Sequence, residues 1–442
     1  LILKISHQQK SLSEYLGDFY FVSKITIKSK VKFFLHFVKS KYIDSVHLVY
    51  IIAKQFCNCN QYSYPEEDKE LKKYVQLSVL AIIFASSVNA EVQFSGFGTV
   101  AVGSSNDELF GTNKDGLDFK SHSLFALQAT SDLSEGFTAT AQIMAKGQND
   151  FNAEFEWAYL SYQATESLRI NAGRIRTPFY KYSDFMDVGY AYQWVLPPQS
   201  VYSMGFDRIE GLSFNYTKSW DDLTLNSQFI YGNSESNTDL GEEIAPTEIQ
   251  GAIGGNIDLN YGNWTTRVAY YQGDITMEIA SLDPLLAGLK QFGFSQLANN
   301  LQVEEDKATF VGAGIFYEGE KVFLNSEWTR AKSGDNFIAD LTSYYVSPGY
   351  NVTEKLSLYY LYEKDSDAPK IGLYNGLPAQ LPFTPVVIGV VESLRQEQTT
   401  HSVGLTYDFH SSSSLKIQYF SQEDTTRSEK NNGIFLAVDF VF

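Results

Sequence analysis

From residue 91 onward the chain alternates apolar and polar side chains with a period of two. It does so in segment after segment, each about long enough to cross a bilayer as a tilted strand. In 223–231, Leu223, Leu225, Phe229 and Tyr231 share one face, while Thr224, Asn226 and Gln228 share the other. In 402–409, Val403, Leu405, Tyr407 and Phe409 oppose Ser402, Thr406 and Asp408. In 264–271, Trp264, Val268 and Tyr270 oppose Thr265 and Arg267. Sixteen such segments are predicted, at 92–103, 118–130, 136–146, 153–163, 167–176, 208–218, 222–232, 249–260, 263–273, 307–318, 321–331, 336–347, 354–363, 397–409, 413–421 and 433–442.

The connections between segments sort by length. Short turns fall near Ser131–Glu135, Ala164–Glu166, Ser219–Asp221, Tyr261–Gly262, Gly319–Glu320, Gly349–Thr353 and His410–Ser412. Long ones include 104–117, 177–207, 233–248, 274–306, 364–396 and 422–432, whereas 147–152 and 332–335 are short for that class. Two sides with different connections are what a membrane barrel needs, with tight periplasmic turns and longer external loops. The expected fold is therefore all-β, a transmembrane antiparallel barrel of about 16 strands. Its 15% aromatic content suits half-buried pleated surfaces. No apolar run in the body is long enough for a membrane helix.

The first ninety residues read differently. Residues 72–90, KKYVQLSVLAIIFASSVNA, carry a charged start, a short apolar stretch from Val75 to Ala85, and a small-residue site at Val88-Asn89-Ala90. That is the layout of a secretory signal peptide over 71–90, with cleavage expected before Glu91. Residues 1–70 contain no Met and lack clear periodicity, so they are expected to be an upstream translation artefact, with initiation at Leu71, or an unstructured extension. They also hold both cysteines, Cys57 and Cys59, which leaves 91–442 without thiol chemistry. Residues 1–90 have 12 Lys against 7 acids, so the overall charge of −18 leaves 91–442 near −23. An acidic body without a basic stripe is a poor nucleic-acid binder, and it implies a mild cation preference if the lumen follows the whole.

Catalytic motifs are missing: there is no G-x-S-x-G, H-E-x-x-H or phosphate-binding glycine loop. His401 and Ser402 are adjacent on a strand and so face opposite ways. No enzyme, cofactor or metal site is expected.

The opening Val92-Gln-Phe-Ser-Gly-Phe-Gly, the run Arg169-Ile-Asn-Ala-Gly-Arg174, the loop after it and the final aromatic Phe442 resemble the Gram-negative outer-membrane porins, over all of 91–442. The resemblance implies a sixteen-stranded barrel, a homotrimer, and a third external loop folded into the lumen as a constriction. It implies passive diffusion of small hydrophilic solutes and ions, with outer-membrane lipid, lipopolysaccharide and the barrel-assembly machinery as partners. Phe442 would be the assembly signal. A substrate-selective channel and a non-conducting barrel serving as adhesin or receptor are the alternatives. The loop here is 177–207, rich in aromatics and Pro, although the enteric porins' usual loop motif is absent. Family constrictions set loop acids against wall bases. The candidate acids are Asp184, Asp187 and Glu210; the candidate bases are Arg169, Arg174, Arg176, Arg208, Arg267, Lys120, Lys146 and Lys416. Arg174 has the opposite parity to Arg169, so a bulge is needed to aim both inward. Pairing of these bases with Asp184, Asp187 or Glu210, to pin the loop, is the structural alternative. Leucines spaced helically in 282–301 suggest a short helix packed on the barrel, and Trp157, Tyr159, Trp264, Trp328 and Tyr360 suit interfacial girdles.

Overall fold

The computed structural model describes residues 91–442 apart from 108, 109, 111, 113–115, 241, 242 and 376. The expected leader at 71–90 and the stretch 1–70 lie outside the described residues. Sixteen antiparallel strands follow one another around a closed ring. They begin with β1 (Val92–Ser105), β2 (Leu124–Ser134), β3 (Phe137–Lys146), β4 (Ala153–Gln163), β5 (Leu168–Arg176) and β6 (Arg208–Trp220). Next come β7 (Leu223–Asp239), β8 (Ile244–Tyr261), β9 (Trp264–Met277), β10 (Val303–Glu318) and β11 (Val322–Ser333). The ring ends with β12 (Asp340–Asn351), β13 (Leu356–Ala368), β14 (Glu397–His410), β15 (Ser413–Asp424) and β16 (Glu429–Val441). β1 pairs with both β2 and β16, so no strand edge is left open. In hydrocarbon an open edge would strand its backbone N–H and C=O groups, and closure removes that cost.

The alternation read from the sequence is the alternation of the wall. Phe229, Tyr231, Val268, Tyr270, Val403, Tyr407, Ile434 and Leu436 are exposed on the outer surface. Their neighbours Ser402, Thr406 and Asp439 are buried on the inner side. His401 accordingly sits outside beside Tyr360, while Ser402 is inside. Tight turns close one end of the barrel, as at Gly262-Asn263, where Gly262 takes φ +55°. A glycine adopts that left-handed conformation without steric cost. At the closure, Phe442 and Gly96 exchange two backbone bonds of 2.8 and 2.9 Å, and the Phe442 ring stacks on Phe125. A Cβ at position 96 would lie 2.3 Å from that ring.

The connections differ from expectation in two ways. The expected loops 233–248 and 422–432 are mostly paired strand, because β7 continues to Asp239, β8 starts at Ile244, and β15 and β16 pair out to Asp424 and Glu429. Polar residues there still make a ladder, since both sides of an external hairpin meet water. Conversely β2 begins at Leu124 rather than 118, and β12 at Asp340 rather than 336. The helical spacing in 282–301 becomes two short helices, α1 (Asp283–Gln291) and α2 (Ser295–Asn300), broken at Gly293 (φ +84°). With α3 (Thr384–Ser393) they bury Leu286, Leu289, Leu297, Val387 and Val391 against Ile249 and Ile275 of the inner wall. The helices thus pack on the barrel's own mouth.

Candidate channel constriction

The connection 177–207 leaves β5 and returns to β6 through a closed neck, where Thr177 N–H donates to the Asp207 carbonyl at 2.7 Å. Between those points it runs inside the barrel. Its composition explains why: Phe179, Tyr180, Tyr192, Trp194 and Tyr202 are buried against Ile209, Ile230, Tyr271, Phe310, Tyr345, Tyr359 and Leu361 of the wall. Fully burying one large apolar side chain stabilises by about 1.5–3 kcal/mol, so this aromatic set is ample reason for the loop to fold inward. Farther along, Val195 and Leu196 pack on Ala101, Phe420, Phe435 and Ala437, so the loop bridges the lumen from the β9–β13 side to β15, β16 and β1. The indole of Trp194 is wholly buried and donates to Ser347 Oγ at 3.0 Å.

Polar fastenings complete the docking. Glu327 accepts from Lys181 N (2.8 Å), Tyr202 Oη (2.5 Å) and Tyr345 Oη (2.9 Å). Glu363 accepts from Ser200 N at 3.0 Å, and Gln418 from Val195 N at 2.9 Å. Lys416 is the densest of these points. Its Nζ pairs with Asp439 at 2.9 Å and donates to the carbonyls of Gly189, Tyr192 and Trp194 at 2.5, 2.5 and 3.1 Å. At the loop root, Arg176 is buried among Glu156, Asp187 (2.5 Å) and Asp207 (3.4 Å). Lys146 reaches Asp187 at 2.9 Å, and Arg208 reaches Asp207 and Glu156 at 3.2 and 3.5 Å. Burial opposes the charge on Asp187, but Arg176 and Lys146 outweigh it and hold that carboxyl far below the usual carboxylate range.

Beside the loop lies a cavity of about 330 Å³, the candidate passage. Its wall from β2 to β7 presents the amides and hydroxyls of Gln128, Gln142, Asn171, Ser213, Asn215 and Gln228, beside the rings of Trp157 and Tyr159 and the buried, ion-paired Arg176. Asp184 and Phe185 of the loop face them, and Arg169 stands on the wall. Asp184 and Arg169 are both exposed to water, and among the described residues neither makes an ion pair or hydrogen bond. Enclosure by the barrel raises the Asp184 carboxyl above its ordinary value, although Arg176, Arg267 and Arg169 pull the other way.

Several predicted residues sit elsewhere. Arg174 and Glu210 bond each other at 2.7 Å on the outer face, in line with the exposed Leu212 and Tyr216. The β5–β6 register runs unbroken from Leu168↔Tyr216 to Arg176↔Arg208, so no bulge turns Arg174 inward. Lys120 lies on the exposed connection before β2 and pairs with Asp150, not on a strand of the wall. Arg267 does point inward, but it is buried against Asp258 (2.8 Å) and the Pro178 carbonyl (2.6 Å). Trp157 and Tyr159 line the passage rather than a girdle, because Leu160 and Tyr162 take the outer face of β4. Trp264, Trp328 and Tyr360 are exposed outside.

Sequence reasoning missed the loop's acceptors Glu327 and Glu363, and the acids Glu156 and Asp258 that pair the wall's arginines. One was within reach: the two-residue turn at Gly262-Asn263 sets Asp258 directly opposite Arg267. The passage wall of amides and hydroxyls carried no comparable signal.

A closed barrel with tight turns at one end, an apolar exterior and a loop narrowing a polar passage defines an outer-membrane channel. The Gram-negative porin family model matches residues 77–428, and the chain belongs to that family. No curated protein matches the sequence. Among solved structures, an anion-selective porin from Comamonas acidovorans aligns with TM-score 0.53 at 12% identity, over 80% of this chain and 100% of its own. The outer-membrane channel DcaP of Acinetobacter baumannii gives 0.52 at 13%, over 81% and 99%. OmpT of Vibrio cholerae lacking its loop L8 gives 0.51 at 12%, over 80% and 99%. At such identities these structures share the fold.

Proposed function

We propose that this porin passes small hydrophilic solutes and ions through the gap between the docked loop and the β2–β7 wall. Asp184 and Arg169 set the field across it. One observation carries the reading: nearly every other candidate charge is neutralised by a partner, whereas these two face the same water-filled space unpaired. Opposed charges there orient polar solutes and repel apolar ones. The remaining candidates then serve as loop anchors (Asp187, Arg176, Arg208, Arg267, Lys146, Lys416) or lie outside the passage (Lys120, Arg174, Glu210).

The reading carries no catalytic step. It includes removal of 71–90 at export, use of Phe442 as the assembly signal, and a homotrimer in contact with lipopolysaccharide. For the trimer, β3 to β5 are short, and their outer faces carry the small residues Ala139, Ala141, Ala145, Ala158 and Ala172, which let a second barrel approach closely. Planar-bilayer recording is the test. Insertion should give triplets of equal conductance steps without saturation by any one sugar or peptide. Saturable block would favour a substrate-selective channel, and absent steps a receptor barrel.

A further inference from the structure

A second cavity, of about 240 Å³, lies on the external side of the loop and has a different character. It is bounded by the loop's return and by β6 to β12, up to Thr238 and Thr247 of the β7–β8 hairpin. Its lining is predominantly apolar, with Phe179, Phe206, Tyr271, Phe310, Met204 and Met277 among the residues. Two of the chain's four methionines are therefore here. Among the described residues no Asp or Glu lines it, and Lys332 is its one charged neighbour. A water-filled hollow of this composition gains little from its water, and a cavity of about 150 Å³ with such walls already holds a benzene ring. Thioethers and ring edges adapt well to an aromatic guest.

Several polar side chains, Gln272 and Lys332 among them, also border the cavity, but one is buried and unpaired. Thr177 lines the cavity and is 3% exposed, and its Oγ1 has no hydrogen-bond partner among the described residues. A buried hydroxyl left unpaired is costly and calls for a partner.

We propose that this cavity binds a small one- or two-ring aromatic compound bearing a hydroxyl or similar hydrogen-bonding substituent, which bonds Thr177. This goes beyond diffusion through the polar passage, which needs no binding step. The test uses protein extracted from the membrane into lipid nanodiscs, titrated calorimetrically with 4-methylphenol, toluene and cyclohexanol against empty discs. Saturable binding of 4-methylphenol is expected, with toluene weaker and cyclohexanol weakest.

Two variants locate the site. Gly205 lines the cavity, and a Cβ there has only Thr238 Oγ1 nearby, at 4.0 Å, so Gly205→Phe should fill the space without strain and lower affinity at least tenfold. Thr177→Val removes only the hydroxyl, and should weaken 4-methylphenol several-fold while leaving toluene unchanged. Heat-modifiable gel migration verifies that each variant is folded. Binding no greater than in empty discs, equal binding by folded Gly205→Phe, or an unaltered preference in Thr177→Val overturns the proposal. Wild-type protein that conducts but binds no probe would do so while leaving the channel reading intact.

Discussion

Replacing Lys416 by Met keeps the length of the side chain and deletes its ammonium. In the native barrel that group is fully buried and holds Asp439 at 2.9 Å together with three loop carbonyls. Asp439 is 2% exposed and, among the described residues, would keep only Thr99 Oγ1, at 2.6 Å, as a donor. Removing one partner of a buried ion pair costs about 3–5 kcal/mol, and the orphaned carbonyls add to it only as far as lumen water cannot reach them. A working value of about 4 kcal/mol corresponds to nearly three decades in the balance of docked and undocked loop. The strand ladder is untouched, so the loss falls on the loop around 189–196. Single-channel recording should show excess open-channel noise and raised conductance, and the loop should become sensitive to external protease. Pairing Lys416→Met with Asp439→Leu removes the stranded charge and should recover about half of the loss. Native noise, conductance and protease resistance in the single variant would falsify the latch.

Neutralising the passage charges should move ion selectivity in opposite directions. An ion about 6 Å from a unit charge in water feels roughly 0.7 kcal/mol, of opposite sign for cation and anion, so Asp184→Asn and Arg169→Gln should each shift the cation-to-anion ratio by up to about tenfold. Reversal potentials in a salt gradient measure this, and shifts of the same sign would contradict the transverse field. Because enclosure raises the Asp184 carboxyl, its protonated form is favoured in the folded state as pH falls. Cation preference should then decline at a higher pH than for a free carboxylate, and Asp184→Asn should abolish that pH dependence. Asp187 behaves oppositely: its contribution to docking is present above the unfolded carboxyl range and is lost only as pH falls through its depressed folded value. Proteolysis at the loop root around Asp187 should therefore increase only at a lower pH than a free carboxylate would set. Alanine at both Arg174 and Glu210 should leave conductance and selectivity unchanged, since that exposed pair lies outside the passage; a changed reversal potential would place it within reach of the ions. Mass spectrometry of the exported protein should find Glu91 at its amino terminus and no peptide from 1–70.

Strand count and facing were legible because a period of two is local, and every residue such as Tyr270 or Val403 reports its own side. The docked loop was legible from composition, since a chain carrying Phe179, Tyr192, Trp194 and Tyr202 gains by burying them. Partners were harder. Parity assigns a face to Arg267 or Lys416, but whether that charge is free depends on what crosses from another strand or from the loop. Only a tight hairpin fixes such a neighbour, as with Asp258 opposite Arg267. Arg176 meets Asp187 through a loop whose path no periodicity encodes. The hairpins at 233–248 and 422–432 read as loops for a related reason: above the membrane a ladder needs no apolar face, so its pattern disappears while its pairing persists.

The wall is uneven in height. β5 has 9 residues and β8 has 18, so at roughly 3.4 Å per residue one flank rises to about twice the length of the other. Strand beyond what the hydrocarbon requires extends toward the end that carries the long connections. The rim is therefore a slanted lip, high at the β7–β8 hairpin and low beside β5. A solute entering on the low flank therefore meets a shorter wall than one entering beside β7 and β8.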